Sequence, residues 1–406
     1  MHVDILVVGG GPIGAVAARS AAEAGASVLL VDRRTDLTTS SCCTGLISPR
    51  TLPALGVSSD CVLQEIRAVR VHAPDGRCLD LAADRTKALV IDRSVLEREL
   101  HRRARTAGVR VRLGTDAVSA SNGGVVLESG SGSETVDATV VIGADGPCSR
   151  VAEWFGLPPP EQLVRAAQAV VETDRDVPTD RVEILFGRDV APGFFAWVVP
   201  AERRRWRIGL GVSPPRDPSE LLDRLLARRF PGALLLSRAG GPIPVSPCPR
   251  TAAGSTFLVG DAAGQAKPLS GGGLYFGAIC ARIAARAATE TALSETPPRQ
   301  ASADYESRWR SAVGRELAFG RSIRRTFGAV SDRDLNALFA ACDDPDLLSF
   351  LAEHGDIDRF HRLPDELAGH PSLWGKVLRL LPLLASREIL DPFDPSLIGS
   401  RSRTDL

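Results

Sequence analysis

The periodicity of apolar and polar residues divides the chain into segments of two kinds, strand-like and helical. Residues 3–8 are a short, mainly apolar run that three glycines end, and residues 12–25 continue as an alanine-rich helical stretch. Residues 27–31 are a second apolar run, which stops at Asp32. Short apolar runs bounded by glycine are typical of buried strands. The first part of the chain therefore predicts a strand, a tight turn, a helix and a second strand.

Similar patterns recur further along. Residues 93–107 place apolar side chains at a helical spacing, and the strand-like residues 109–113 follow them. Residues 124–128 and 135–142 also have the composition of strands, and the latter stretch leads into Gly143-Ala144-Asp145-Gly146. Alternation of helical and strand-like segments favours an α/β sheet.

The rhythm changes between about residues 160 and 250. Residues 182–186, 194–199 and 206–212 alternate in the manner of half-buried strands, with one helix near 217–229. This pattern predicts a second, largely antiparallel sheet.

The last part of the chain begins with another short strand. Residues 256–259 lead into Gly260-Asp261, a glycine-rich loop and a long helix over 274–290. Beyond residue 300 the pattern is helical, with breaks near 344, 355, 364 and 371.

Composition and charge narrow the class of protein. The 406 residues contain 49 Lys and Arg against 49 Asp and Glu, and this balance excludes the basic excess of a nucleic-acid-binding protein. The content of 44% hydrophobic and 24% charged residues is that of a globular protein, which excludes disordered and collagen-like chains. No stretch of about 18 apolar residues predicts a spanning helix, so we expect membrane contact to be peripheral if it occurs.

The cysteines and the N-terminal residues bear on location. The eight cysteines contain no CxxC pair and no Cys/His spacing typical of a metal site, so we expect neither a disulfide scaffold nor a bound metal. The N-terminal residues enter a strand at once and lack a cationic flank, so we expect no signal peptide. These features favour a cytoplasmic protein.

The first motif is Gly9-x-Gly11-x-x-Gly14. Its glycines allow a tight turn, the approach of the backbone to a pyrophosphate and close helix packing, while the helix N-terminus offers free N–H groups. Asp32 lies 18 residues after Gly14, at the end of the next strand, where a carboxylate can bind an adenosine ribose. The motif predicts a dinucleotide site but fits NAD and FAD equally.

A second motif distinguishes the two cofactors. Gly260-Asp261-Ala262-Ala263-Gly264 is followed by Pro268 and by Gly271-Gly272-Gly273 before a helix. An aspartate after a short strand can hold a ribityl chain, and the next helix N-terminus favours negative charge on a reduced flavin. The two motifs together predict FAD.

At this point the chain resembles a known family. Both motifs, with residues 91–96 (IDRSVL) and 143–146 (GADG), resemble the p-hydroxybenzoate hydroxylase-like flavoproteins. Within that fold the chain is similar to the geranylgeranyl reductase family in residues 43–48 (CTGLIS), 192–200 (PGFFAWVVP) and 267–273 (KPLSGGG). The helical tail also resembles that family's, so the similarity covers essentially the whole chain.

The resemblance implies a fold and a domain organisation. The fold is α/β (α+β): a Rossmann-like FAD-binding domain, an inserted antiparallel-sheet substrate domain and a helical C-terminal tail. The boundaries that we expect are 1–160 with 250–295 for the FAD-binding domain, 161–249 for the substrate domain and 296–406 for the tail.

The resemblance also implies the site residues. The expected cofactor-binding residues come from both motifs and the matching segments: Gly9, Gly11, Pro12, Gly14, Asp32, Cys43, Thr44, Gly45, Arg93, Ala117, Asp145, Gly146, Asp261, Pro268, Gly271, Gly272 and Gly273. Cys43 matches a cysteine near the flavin ring and is the candidate catalytic residue, as a gate or proton relay. Lys267, one of three lysines, stands in the flavin loop and is a candidate to stabilise anionic flavin or to help bind an electron donor. Phe195, Trp197 and Tyr275 are the expected substrate-binding residues.

One signature departs from the family. The YxWxFP signature of the substrate cavity stands here as Phe195-x-Trp197-x-Val199-Pro200, so a phenolic hydroxyl and one aromatic ring are lost. The stretch also shares one tryptophan with the WxWxIP signature of flavin halogenases, which keeps a monooxygenase or halogenase as the alternative function.

The resemblance implies an FAD-dependent reductase that saturates carbon–carbon double bonds of a polyprenyl lipid or prenylated quinone. The chain has no second dinucleotide fingerprint, so we expect an external electron donor, either NADPH or a ferredoxin-like protein. Residues 373–381 are apolar and basic, a pattern compatible with a helix at the inner face of a membrane as well as with tertiary packing.

Overall fold

A parallel sheet forms the centre of the N-terminal half. The computed structural model describes residues 1–37, 43–121, 124–174, 179–293 and 296–378. The strands of the first sheet are β1 (His2–Val8), β2 (Val28–Asp32), β8 (Arg110–Leu113), β9 (Thr115–Ser121), β10 (Gly124–Ser129), β11 (Gly132–Gly143), β17 (Ala252–Ala253) and β18 (Thr256–Leu258). Parallel pairing runs through β18-β11-β1-β2-β8, while β10 is antiparallel to β11 and β9.

The second sheet has a mainly antiparallel order, β16-β12-β15-β14-β13-β5-β6. Its strands are β5 (Ala68–His72), β6 (Cys78–Ala82), β12 (Leu163–Glu172), β13 (Arg181–Leu185), β14 (Ala196–Glu202), β15 (Arg205–Val212) and β16 (Leu234–Pro244). A small third sheet contains β3 (Leu46–Ile47), β4 (Val62–Ile66) and β7 (Ala88–Ile91). The predicted α/β fold with a second, largely antiparallel sheet is therefore confirmed.

Two strands of the second sheet come from an unexpected part of the chain. β5 and β6 precede the other five strands by about 80 residues, and β5 joins β13 in parallel. The periodicity of residues 68–82 alone did not reveal which sheet they join, because pairing between distant segments leaves no local signal.

The helices cover the parallel sheet and form the C-terminal region. They are α1 (Pro12–Glu23), α2 (Thr51–Leu55), α3 (Arg93–Thr106), α4 (Arg150–Trp154), α5 (Pro218–Arg229), α6 (Leu274–Leu293), α7 (Pro298–Trp309), α8 (Arg315–Ala329), α9 (Asp332–Cys342), α10 (Pro345–His354), α11 (Leu363–Ala368) and α12 (Pro371–Leu378). A π-helical turn, Arg310–Gly314, joins α7 to α8. Asp92 begins α3 by accepting bonds from the N–H groups of Ser94 and Val95, as an N-cap residue should.

The C-terminal helices are anchored to the parallel sheet. Tyr305 is fully buried and donates to the carbonyl of Leu258 at 2.6 Å, and the indole of Trp309 donates to Thr251 at 2.9 Å. Both large side chains belong to the same apolar core as α1 and α6. Buried rings whose polar atoms are satisfied fix α7 in one position against β17 and β18.

Candidate active site

One cavity of about 1280 Å³ joins the two principal sheets. At one end it is lined by residues that follow β1, β2 and β11, the carboxyl edge of the parallel sheet, where ligands bind in open α/β folds. At the other end it lies against the second sheet and α10. Predicted cofactor-binding and substrate-binding residues therefore line the same cavity.

The glycines of the first motif act in two ways. Gly9 has φ of +103°, and a side chain there would collide with the backbone of Ala144, the residue directly after β11. Gly14 packs on the Gly9 carbonyl, so a Cβ would break the contact between α1 and the turn. Gly11 differs, because no described atom lies within 4 Å of the place of its Cβ, and it opens onto the cavity.

The start of α1 is suited to an anion. Gly11 is its N-cap and Pro12 its first residue, and among the described residues no side chain bonds to the helix start. Free N–H groups and the helix dipole there attract phosphate. The open surface of Gly11 gives a pyrophosphate close access, so these residues fit the diphosphate of FAD.

Two carboxylates and two guanidinium groups alternate beside this helix start. Asp32 accepts from Gly10 N at 2.7 Å and from Arg34 Nη2 at 3.0 Å. Glu97 accepts from Arg34 Nη1 and from Arg93 Nη2, both at 2.8 Å. Burial by itself would raise the pKa of Asp32, but the hydrogen bonds and charge of Arg34 outweigh it and hold that pKa below its usual value. Asp32 therefore stays ionised at the cavity edge.

Two polar side chains deeper in the cavity are suited to bind a polar ligand. Arg93 Nε is buried and has no hydrogen-bond partner among the described residues. Asp261 also lines the cavity, and burial raises its pKa to about 6 even though the charge of Arg93 lowers it. Buried polar groups of this kind normally bind something polar. Together with Gly271, Gly272 and Gly273, which line the same region, they fit the ribityl and ring portion of FAD.

The Cys43 loop is fixed through its backbone. Gln168 Nε2 donates to the Cys43 carbonyl at 3.2 Å, and Arg207 Nη1 donates to the Thr44 carbonyl at 2.8 Å. Gly45 N donates to Cys43 Sγ at 3.4 Å. Cys43, Thr44 and Gly45 all line the cavity, so the loop presents a half-buried thiol at a defined place on its wall.

Aromatic and aliphatic side chains line the other arm of the cavity, which we call the apolar arm. Trp197 donates to Gln168 Oε1 at 3.1 Å, and its ring lies 6.0 Å from that of Phe195. Phe186 follows at 6.1 Å from Phe195. Tyr275 lines the cavity near the start of α6. The inward side chains continue across β13, β5 and β6, namely Val182, Ile184, Val69, Val71, Leu79 and Leu81.

The other predicted cofactor residues either line the cavity or pack behind its lining. Ala117 lines the cavity beside Asp145 and Gly146. The Asp145 carboxylate accepts from Ser149 Oγ at 2.6 Å and Arg150 N at 2.8 Å, so it orders its own loop. Gly14 and Pro268 do not line the cavity and contribute through packing. Pro268 is buried and lies against Gly320 on α8.

Lys267 is paired with an acidic residue from a distant segment of the chain. Its Nζ donates to Asp358 Oδ1 at 2.9 Å and to the Ile357 carbonyl at 3.0 Å. The lysine is 8% exposed and the Asp358 side chain is fully buried. The ammonium therefore joins the flavin loop to the segment after α10, while Lys267 also lines the cavity.

Sequence reasoning missed the polar residues that organise the site. Gln168 was detectable as the single polar side chain in the apolar run of residues 166–171 in β12, and Glu97 as a carboxylate one helical turn after Arg93. Arg207 gave no such signal, because arginine is common throughout this chain.

Comparisons with known proteins agree with this geometry. Residues 2–287 match the family described as FAD binding domain. The chain is 32% identical over 364 residues to a digeranylgeranylglycerophospholipid reductase of Methanothrix thermoacetophila, covering 86% of this chain and 93% of that protein.

Solved structures share the fold. A geranylgeranyl bacteriochlorophyll reductase-like protein from Thermoplasma acidophilum superposes with a TM-score of 0.80 at 22% identity, covering 94% of this chain and 99% of its own. A flavin-dependent brominase superposes with a TM-score of 0.69 at 16% identity, covering 87% and 93%. At such identities both structures establish the fold alone. The family match and the sequence relative go further: FAD is the cofactor, and the chain belongs to the geranylgeranyl reductase family of FAD-dependent oxidoreductases.

Proposed function

We propose that this protein saturates carbon–carbon double bonds of a geranylgeranyl-type polyprenyl lipid or a prenylated quinone, with FAD as its cofactor. The observation that carries the proposal is the single cavity that joins the glycine-rich helix start of α1 to an apolar arm. Reduced FAD supplies a hydride when bound. A relative of 32% identity is named for reduction of a digeranylgeranyl lipid, which agrees with this assignment.

The dimensions of the apolar arm suit a long, thin substrate. Its wall runs from Gln168 on β12 to Leu81 on β6, five strand intervals away in the sheet order. With about 4.8 Å between neighbouring strands, the wall is about 24 Å long. Each methylene buried there contributes about 0.8 kcal/mol, so a prenyl chain needs no charged anchor to bind.

The chain's own residues hold the cofactor and order the reaction space. We assign the diphosphate to Gly9, Gly11, Pro12 and the α1 start packed by Gly14, the ribose to Asp32, and the remaining contacts to Thr44, Gly45, Arg93, Ala117, Asp145, Gly146, Asp261 and Gly271 to Gly273, with Pro268 shaping the loop. Phe195, Trp197 and Tyr275 exclude water and orient the prenyl chain. Cys43 holds a proton at Sγ on the cavity wall, where it can supply the second hydrogen.

The decisive experiment is anaerobic. The FAD-loaded protein is reduced chemically and mixed with vesicles containing a geranylgeranyl phospholipid or, separately, a prenylated quinone. We expect the lipid to gain the mass of one H₂ for each saturated bond. Full flavin reduction with no mass gain in either substrate contradicts the proposal. Rapid consumption of O₂ with oxygenated or halogenated products would instead favour the monooxygenase or halogenase alternative.

Cys43→Ala tests the proton-holding role, with Cys61→Ala as the control. Cys61 has a buried side chain that lies outside the cavity lining. We expect Cys43→Ala to slow lipid saturation while FAD content stays the same, and Cys61→Ala to leave the rate unchanged. An equal rate in both variants assigns the proton to another source.

The electron donor and the membrane contact form a separate part of the proposal. We propose that NADPH or a ferredoxin-like protein reduces the flavin from outside, which anaerobic bleaching with each donor tests. The described residues contain no helix long and apolar enough to cross a membrane. We propose a peripheral contact through α12, where Trp374 is 51% exposed; residues 379–381 of the predicted interfacial stretch lie outside the described part of the chain. Unchanged liposome binding after deletion of residues 371–406 would contradict it.

A further inference from the structure

A cysteine, a histidine and a glutamate lie together on the outer face of the second sheet. Cys78 Sγ is 3.2 Å from His72 Nδ1, and His72 Nε2 is 2.5 Å from Glu183 Oε2. The three residues belong to β6, β5 and β13, which are neighbours in the sheet, and Cys78 pairs directly with His72 in the register. This group is separate from the cavity, whose lining includes none of the three.

The alternation of the strands explains the placement. Val71 and Leu79 flank the pair in sequence and point to the opposite face, where they line the apolar arm. Side chains of successive residues alternate between the faces of a sheet. The Cys78 group therefore lies directly behind the wall of the apolar arm, with the thiol exposed.

The residues around His72 determine which of its ring nitrogens faces the thiol as an acceptor. Glu183 also accepts from Arg229 Nη2 at 2.7 Å, and although burial raises its pKa, His72 and Arg229 together hold it at about 2. An ionised Glu183 accepts the N–H of His72 Nε2, which leaves Nδ1 as the acceptor that faces the thiol. The nearby charges on these strands, Arg70, Asp80 and Arg181, are paired with one another.

We propose that Cys78 is a nucleophilic modification site, with His72 as its general base and Glu183 orienting the histidine, and that it reacts with small disulfides. His72 Nδ1 takes the thiol proton as Cys78 Sγ attacks one sulfur of the disulfide. A new S–S bond forms and the old one breaks, and the departing sulfur leaves as a thiolate that takes up the proton. Cys78 is oxidised to a mixed disulfide, and the small disulfide is reduced to one thiol and the bound half. The arrangement is that of an activated nucleophile with an oriented base.

The test measures rates at Cys78 in the FAD-loaded full chain. Oxidised glutathione is the disulfide probe and iodoacetamide the general electrophile, and peptide mass spectrometry follows each cysteine at pH 7. We expect Cys78 to react about tenfold or more faster than N-acetylcysteine amide, because a positioned general base contributes at least that much. His72→Gln should remove the advantage, and Glu183→Gln should reduce it.

Internal controls separate activation from a folding defect. Cys148 is also exposed and forms no hydrogen bond with a histidine among the described residues, so its rate should be the same in every variant. FAD content should also be unchanged. A wild-type Cys78 no faster than the free thiol, or a rate that survives His72→Gln, overturns the proposal. The first comparison needs no variant, and neither depends on whether the protein reduces prenyl lipids.

Discussion

The buried pair between Lys267 and Asp358 offers a quantitative test of how the C-terminal region is held. Asp358→Asn keeps the shape of the side chain and removes its charge. The Lys267 ammonium then remains 8% exposed and keeps only neutral acceptors, the Ile357 carbonyl and the new amide oxygen, with no counter-charge. We expect the protein to lose stability because a buried charge is left unbalanced.

The magnitude follows from two limits. Removing one partner of a buried ion pair costs about 3 to 5 kcal/mol. A lysine can escape by losing its proton, which at pH 7 costs about 4.6 kcal/mol for an ordinary lysine. The expected loss is therefore about 3 to 4.6 kcal/mol. At about 2.1 cal/mol/K per residue, a chain of 406 residues that unfolds in one transition has an unfolding entropy of about 0.85 kcal/mol/K, so Tm falls by about 3.5 to 5.5 °C.

The assay is thermal unfolding followed by circular dichroism, with Asp80→Asn as the control. Asp80 undergoes the same change in an exposed ion pair with Arg70, where we expect a shift of about 1 °C or less. Lys267→Met with Asp358→Leu removes both charges and should recover most of the loss. The reasoning is refuted if Asp358→Asn shifts Tm no more than Asp80→Asn, or if the double variant loses the sum of the single losses.

Three further predictions concern the cofactor end of the cavity and the Cys43 loop. Arg93→Met removes a donor to Glu97 and the unpartnered Nε, so FAD binding measured by flavin fluorescence should weaken about tenfold or more. Arg98→Met, on the exposed side of α3, is the control and should leave FAD binding unchanged. Equal FAD affinities of the two variants would exclude Arg93 from the site. Asp261 has a folded pKa of about 6, above its usual value, so the free energy of unfolding of the apo-protein falls as pH rises from about 4 to 6. Asp261→Asn should abolish this pH dependence, add about 3 kcal/mol of stability above pH 6 and weaken FAD binding. Urea unfolding at each pH measures this, and the same dependence of stability on pH in both proteins would contradict the prediction. Gln168→Leu leaves the Trp197 indole and the Cys43 carbonyl without a partner, and each unpaired group costs about 1 to 3 kcal/mol of stability. This variant should therefore lower Tm more than Gln162→Leu, which lies at an exposed position. Matching Tm values would show that water replaces both hydrogen bonds.

The cofactor end of the site was predictable because its signals are local. Gly9, Gly11 and Gly14 lie within six residues, and the chemistry of a helix start depends on those residues alone. The strand before them and Asp32 after them follow from short apolar runs. The flavin loop around Asp261 follows from the same kind of pattern, and the family match agrees with the cofactor that both motifs predicted.

The substrate end depended on contacts between distant segments. Val71 and Leu79 reach the apolar arm only because β5 pairs with β13, more than 100 residues later. Lys267 stands in the flavin loop of the sequence, and the structure pairs it with Asp358, 91 residues away. The Cys78, His72 and Glu183 group is equally invisible in sequence, since Glu183 is 111 residues from His72.

The sequence by itself thus determined the fold class, the cofactor and the position of the glycine-rich turns, because each follows from motifs whose own residues are near one another along the chain. The tertiary structure alone decided which side chains line the apolar arm, where Lys267 finds its counter-charge and which thiol has a histidine beside it. Those features depend on strand pairing and helix docking, which the burial of apolar surface determines over the whole chain and no short pattern records.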